Sequence, residues 1–252
     1  MNTSAPTSQD GARRLALESV AAVVTGGSRG IGLAIATALA RAGARVAITG
    51  RTQGHLDSAA ASAPSIHPIR ADVSDSADAG RAIDEAAKVF GGLDLLVNNA
   101  GIGRFGNVDA LSDEYWREVI GTNLSGVFYC CRAALPHLRR RGGGWIISIS
   151  SLAGQNPFVG GAAYCASKAG LNAFSEALMQ EVRHDDIRVS CIAPGSVSTG
   201  FGGRGPVGGE ADWKIAPDDI AELVVDMVTF PARSLPSRIE LRPSRPRQEK
   251  KV

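Results

Sequence analysis

The sequence has no pattern for holding a metal ion and none for a disulfide framework. Its four cysteines, Cys130, Cys131, Cys165 and Cys191, include no C-x-x-C pair, and the adjacent two fall in a helical pattern. That suits buried thiols in a reducing compartment. The four histidines, His55, His67, His137 and His184, stand without metal-ligand spacing, so no metal is expected. No apolar run reaches membrane-spanning length, and the opening MNTSAPTSQDGARR lacks the apolar core of a signal peptide. These absences lead to the expectation of a cytoplasmic protein with no membrane contact, whose residues 1–16 form a disordered tail. A formal net charge of +2 implies no acidic polymer as partner. The basic stretches LRRRGGG and RPSRPRQEKK read better as a helix end and a solvated terminus than as a nucleic-acid surface. With no internal repeat and no linker rich in proline and serine, one domain over residues 17–252 is expected.

What is present is alternation. The short β-branched runs VAAVVT, RVAIT, IHPIRAD, LDLLVN, WIISIS, IRVSCIAP and SRIELRP predict seven strands. Between them lie the helical patterns IGLAIATALARAG, GHLDSAAA, SADAGRAIDEAAKVF, SDEYWREVIGTNLSGVFYCCRAALPHLRRR, AAYCASKAGLNAFSEALMQEVR and PDDIAELVVDMV. Such alternation predicts an α/β class: a doubly wound parallel sheet with helices on both faces. Several strands are apolar nearly throughout, as coverage of both faces requires. The stretch PGSVSTGFGGRGPVGGEADWK carries seven glycines after a strand's carboxyl end. Its position favours a lid over a site, because open α/β sheets bind ligands there.

Two local patterns carry chemistry. VVTGGSRGIGLAIATALA places Gly26, Gly30 and Gly32, with Ser28, Arg29 and Ile31 among them, between the first strand and the first helix. Glycine permits positive φ and close approach of N–H groups to a pyrophosphate, and the helix amino end favours an anion. The spacing G-x-x-x-G-x-G departs from the G-x-G-x-x-G fingerprint, yet strand and helix flank it as a nucleotide site needs. The same letters fit G-x-S-x-G, which would make Ser28 the nucleophile of a hydrolase. That elbow belongs after an interior strand, and here it follows the first. The second pattern is GGAAYCASKAGLNAF, where Tyr164 and Lys168 lie one helical turn apart. A phenol titrates near ~10, so a neighbouring ammonium is expected to lower it and tune a proton donor.

Three further stretches join these: LDLLVNNAG with Asn98, Asn99, Ala100 and Gly101; TNLSGVF with Asn123; and IISISSLAG with Ser151, thirteen positions before Tyr164. Together with T-G-x-x-x-G-x-G they resemble the short-chain dehydrogenase/reductase family, from about Val20 onward. The resemblance implies a single Rossmann-like domain with a seven-stranded parallel sheet. It implies a catalytic tetrad of Asn123, Ser151, Tyr164 and Lys168. Tyr164 would serve as general acid/base, Ser151 would bond the substrate oxygen, and Lys168 would also hold the nicotinamide ribose. Asn123 would hold a water of a proton relay. APGSVST carries over Pro194, Gly195, Val197 and Thr199 as nicotinamide contacts, and ADVSD carries over Asp72 and Val73 at the adenine.

The second strand ends in Gly50 and Arg51, without the carboxylate that bonds the ribose of NAD. A guanidinium there can pair with a phosphate, and Arg29 offers a second. NADP(H) is therefore favoured over NAD(H). The expected activity is interconversion of a small-molecule carbonyl and a secondary alcohol, in the reductive direction, with 3-oxoacyl compounds or other ketones as substrates. The tail ARSLPSRIELRPSRP resembles bacterial members labelled 3-oxoacyl-carrier-protein reductases, but lacks their usual ending. Gln155, Phe158 and Phe201 are expected to face the nicotinamide, with Arg104 and Phe105 at the rim. The helices around Trp116–Leu138 and Ala162–Arg183 are the family's usual subunit contacts, implying a homodimer or homotetramer. A nucleotide-binding regulator without turnover is the alternative class.

Overall fold

The computed structural model describes residues 17–61, 65–203 and 213–245. The expected N-terminal tail, residues 204–212 of the expected lid and the basic end beyond 245 lie outside the described residues. Strands β1 (Ala21–Val24), β2 (Arg45–Gly50), β3 (Ile66–Arg70), β4 (Leu95–Asn98), β5 (Gly144–Ile149), β6 (Ile187–Pro194) and β7 (Arg238–Leu241) match the seven expected runs. Helices α1 (Gly30–Arg41), α2 (Gln53–Ala60), α3 (Ser76–Phe90), α4 (Asp113–Ile120), α5 (Gly126–Arg140), α6 (Ala162–Val182) and α7 (Pro217–Val228) alternate with them.

All pairings are parallel, in the order β3-β2-β1-β4-β5-β6-β7. Pro68 lies in β3, the edge strand, where a missing N–H is tolerated. Strand order reverses between β1 and β4, so a crevice opens at their carboxyl ends. Alternate strand residues serve two cores. Ala22, Val24, Val46 and Ile48 face α1 and α7, whereas Val23, Ala47 and Leu96 face α3, α5 and α6. Local signals set the helix ends. Asp75 accepts from Asp78 N at 2.8 Å to start α3, and Gly91 ends it at φ 72°. All four cysteines are buried and free, and burial pushes Cys130 up to about 12.

One element differs from expectation. The pattern from Ser112 onward predicts a single long helix, but a π turn over Gly121–Ser125 divides it into α4 and α5. Asn123 lies in that turn with its side chain clamped to the Ile102 backbone. At Gly126 an added Cβ would fall 2.9 Å from Val73 O, so the helix presses closely on the β3–α3 connection. π turns of this kind often mark functional positions.

Candidate active site

Lys168 is buried in α6, and its Nζ donates to Ile149 O at 2.8 Å, on the last residue of β5. Tyr164, one turn earlier, holds its ring centroid 5.9 Å from that nitrogen. Ser151 follows β5, accepts from Ala153 N at 3.1 Å, and hydrogen-bonds the Tyr164 phenol. The electrostatics correct one expectation. Burial raises the phenol above its usual value, and the Ser151 hydrogen bond offsets only part of that rise. The ammonium is directed to the Ile149 carbonyl, and burial lowers Lys168 to about 8.

Asn123 is fully buried. Its Oδ1 accepts from Ile102 N at 2.8 Å, and its Nδ2 donates to Ile102 O at 3.0 Å and Ser167 Oγ at 3.1 Å. A Cβ placed on Gly101 would lie 3.4 Å from Asn123 Oδ1 and 3.8 Å from Lys168 Nζ, so both polar tips face one small space. The four expected residues, from three segments (the π turn, the end of β5 and α6), are thus brought together.

The glycine turn fits closely against the end of β4. Gly26 and Gly30 adopt φ 64° and 56°, which glycine allows. At Gly32 a Cβ would fall 2.3 Å from Asn99 Nδ2 and 2.4 Å from Gly26 O. Asn99 Nδ2 donates to Thr25 O and Gly26 O, at 2.9 and 3.1 Å. Thr25 Oγ1 accepts from Asn99 N and Ala100 N, at 3.0 and 3.1 Å. Thr25 was not singled out in the sequence; a hydroxyl ending an otherwise apolar strand is the signal for it. Helix α1 begins here without a side-chain cap, leaving its amino end open to an anion. Ile31 packs against the core, Ser28 is half-buried and Arg29 is exposed. Thr199 faces the turn from the opposite side, its methyl 3.6 Å from the Cβ position of Gly30.

At the end of β2, a Cβ on Gly50 would lie 3.3 Å from Ser28 Oγ. The exposed Arg51 approaches Asp72 at 3.9 Å. Arg70, a further cation beside this turn, donates to Arg51 O at 3.2 Å. Asp72 ties its own turn by accepting from Ser74 N and Oγ. Val73 is buried in the core, so only its backbone is available to a ligand. Pro194 ends β6, Gly195 N donates to Leu241 O at 2.8 Å, and Val197 bridges to Ile215.

Beside Ser151 and Tyr164 opens a cavity of about 430 Å³, walled by Leu152, Phe158, Trp213 and Arg242. Phe158 walls this cavity, and Phe201 holds its ring 5.6 Å from that of Tyr164. Arg104 turns elsewhere, to Glu118 at 3.3 Å and over the Tyr115 ring at 5.0 Å. Gln155 lies near Glu240 and is not among the residues walling the cavity. Trp213 and Arg242 were missed: they arrive from distant segments and no local motif announces them. Among the described residues no cluster of His, Cys, Asp or Glu could hold a metal, and no helix is long and apolar enough to cross a membrane.

The chain is similar to known proteins. The family profile described as short chain dehydrogenase matches residues 20–204. A 3-oxoacyl-acyl-carrier-protein reductase of Chlamydia muridarum is 38% identical over 188 residues, covering 73% of this chain and 76% of its own. Among solved structures, an alcohol dehydrogenase from Thermococcus sibiricus complexed with 5-hydroxy-NADP superposes with a TM-score of 0.83. It is 32% identical and covers 91% of this chain and 98% of its own. A 3-ketoacyl-acyl-carrier-protein reductase from Brucella melitensis, complexed with NADH, also gives 0.83 at 28% identity, over 90% and 97% of the two chains.

Proposed function

The chain belongs to the short-chain dehydrogenase family, and we propose that it is an NADP(H)-dependent oxidoreductase reducing a small-molecule ketone to a secondary alcohol. The observation that carries this is the convergence of Ser151, Tyr164 and Lys168 beside a glycine turn whose helix amino end has no side-chain cap. The residues present suit a nicotinamide dinucleotide. Gly26, Ser28, Arg29, Gly30, Ile31 and Gly32 would hold the pyrophosphate through main chain and helix dipole. Asn99, Ala100, Gly101, Pro194, Gly195, Val197 and Thr199 would line the path to the nicotinamide, with Asp72 and Val73 at the adenine. When bound, NADPH supplies the hydride.

Tyr164 gives its hydroxyl proton to the carbonyl oxygen as negative charge develops there. A phenol raised by burial stays protonated at neutral pH, which suits a donor and hence the reductive direction. Ser151 donates a hydrogen bond to the same oxygen. Lys168, an ammonium below about 8, stabilises the phenolate left behind and offers its remaining protons to the ribose hydroxyls. Asn123 spends both amide protons on Ile102 O and Ser167 Oγ, so a relay water would bond the free lone pair of its Oδ1.

Preference for NADP(H) rests on this chain's own residues, because the similar structures hold both kinds of cofactor. No carboxylate ends β2, and the side chain of Arg51 is 64% exposed and free to turn from Asp72 to a 2′-phosphate. Residues 17–252 act as one catalytic unit in this scheme. Self-association through α4, α5 and α6 goes with it, supported by the exposed Trp116 and Phe128. Fluorescence titration with both reduced cofactors tests the preference. Tighter binding of NADPH supports it, and tighter binding of NADH returns Arg51 to a solvated loop residue.

A further inference from the structure

The chain has only seven phenylalanines, and three of them stand around Tyr164. Phe105, Phe158 and Phe201 remain 50%, 48% and 42% exposed. Each comes from a different loop: between β4 and α4, between β5 and α6, and after β6. The Phe105 ring lies 5.8 Å from Phe158 and 5.8 Å from Tyr164, at interplanar angles of 50° and 72°. Phe201 lies 5.6 Å from Tyr164 at 53°. Glycines make room for this approach. A Cβ on Gly103 would fall 2.8 Å from both the Phe105 and Phe201 rings, and one on Gly161 would fall 2.6 Å from Phe158. Gly106 N donates to Gly160 O at 2.9 Å, fastening the first loop to the second.

Water-exposed ring surface is unfavourable by roughly 25 cal/mol per Å², so three such rings at one reactive hydroxyl call for an apolar occupant. A molecule that reaches the phenol oxygen passes beside the rings that flank Tyr164. Among the described residues near this mouth, Arg104 is paired with Glu118 at 3.3 Å and Arg242 with Glu240 at 2.8 Å, while Lys214 Nζ lies 6.0 Å from the Trp213 ring. An anionic substrate group that took either guanidinium would have to break its ion pair. The tilted rings present both edges and faces, an arrangement that favours another flat ring over an alkyl chain of equal area.

We infer that the substrate is a neutral ketone with a planar aromatic ring beside the carbonyl. Its ring lies among Phe105, Phe158 and Phe201, and its oxygen lies on Tyr164. This rests on the proposed reduction and adds the substrate class; the three phenylalanines determine specificity and take no part in the proton transfer.

The test is equilibrium binding, by calorimetric titration, of acetophenone and of cyclohexyl methyl ketone, whose ring is saturated and puckered. Both are titrated with NADP⁺ present and with it omitted, so no hydride donor is available and nothing turns over. Acetophenone should bind roughly tenfold more tightly. That preference should shrink toward none in Phe105→Leu, Phe158→Leu and Phe201→Leu, which keep apolar bulk and lose the ring. Equal affinities for the wild type, or a preference untouched by all three substitutions, overturns the inference. A ring preference in a protein that oxidises NADPH with no ketone would sink the proposed reduction and leave the ring site standing. Turnover without a ring preference would do the reverse.

Discussion

On the nucleotide side of Tyr164 the walls are main chain fixed at strand ends, whereas on the substrate side they are side chains carried by loops. The glycine turn abuts β4 so closely that Gly32 has no space for a Cβ, and Thr25 and Asn99 lock the two segments together. The opposite wall draws Phe105, Phe158, Phe201 and Trp213 from separate connections. A main-chain wall constrains residue type, because only glycine, or a short polar side chain bonding the backbone, fits. A side-chain wall constrains only shape, and many residues can supply it. One side suits a cofactor common to many enzymes, and the other suits a substrate particular to this one.

The substitution with the largest expected effect removes the group where the two sides meet. Tyr164→Phe should lower turnover roughly 10²–10⁴-fold while NADPH affinity stays nearly unchanged, read from steady-state rates and a fluorescence titration. Retained turnover would dismiss Tyr164 as the donor.

Next are changes at the 2′-phosphate position. Arg51→Ala should weaken NADPH roughly ten- to a hundredfold, the worth of a charge-assisted hydrogen bond, and scarcely alter NADH. Gly50→Asp should shift preference toward NADH, since its carboxylate repels the phosphate and accepts from the ribose hydroxyls. The Cβ position, 3.3 Å from Leu56 Cδ2 and Ser28 Oγ, requires only a small adjustment of side chains. Arg29 and Arg70 set the residual NADPH affinity. A wild-type level of NADPH binding in both variants would remove Arg51 from the site.

A pair of glycine substitutions contrasts packed main chain with open surface. Gly32→Ala should cost about 1–3 kcal/mol by denaturant unfolding and weaken both cofactors, because the turn must part from Asn99. Gly54→Ala, with nothing within 4 Å of its Cβ position on α2, should stabilise by about 0.5–1 kcal/mol. Equal effects would show that the turn is not held by close packing.

The fold was legible because its signals are local and repeated: seven β-branched runs, helical periods between them, and Pro68 confined to an edge. The meeting of Ser151, Tyr164 and Lys168 was legible because spacing ties them to one strand end and one helix face. The π turn was not, since Gly121–Ser125 continues the helical period and only the distant Ile102 backbone, held by Asn123, marks the break. Nor was the phenol's direction of shift, which depends on burial and on Lys168 turning to Ile149 O. Trp213 and Arg242 join the cavity only through tertiary structure.

The smallest expected effect concerns that buried ammonium. Lys168 is lowered in the folded protein to about 8 from the ordinary 10.5, so between these values the unfolded chain binds the extra proton. Stability from this group is therefore gained as pH rises and lost as pH falls through about 8. Comparing melting temperatures, the wild type should gain about 1 kcal/mol relative to Lys168→Met between about pH 7 and about pH 9. A difference independent of pH would mean that Lys168 is not desolvated as its burial indicates.

Hydride delivery onto a carbonyl held at Tyr164 is the central claim, and isotope transfer tests it most directly. Wild-type protein is incubated with NADPH deuterated at the transferable nicotinamide position and with a panel of aryl and alkyl ketones. The product is then analysed by mass spectrometry and proton NMR. The predicted result is a secondary alcohol carrying one deuterium on the carbinol carbon. NADPH bound but unconsumed across the whole panel, or an alcohol without deuterium at that carbon, would contradict it.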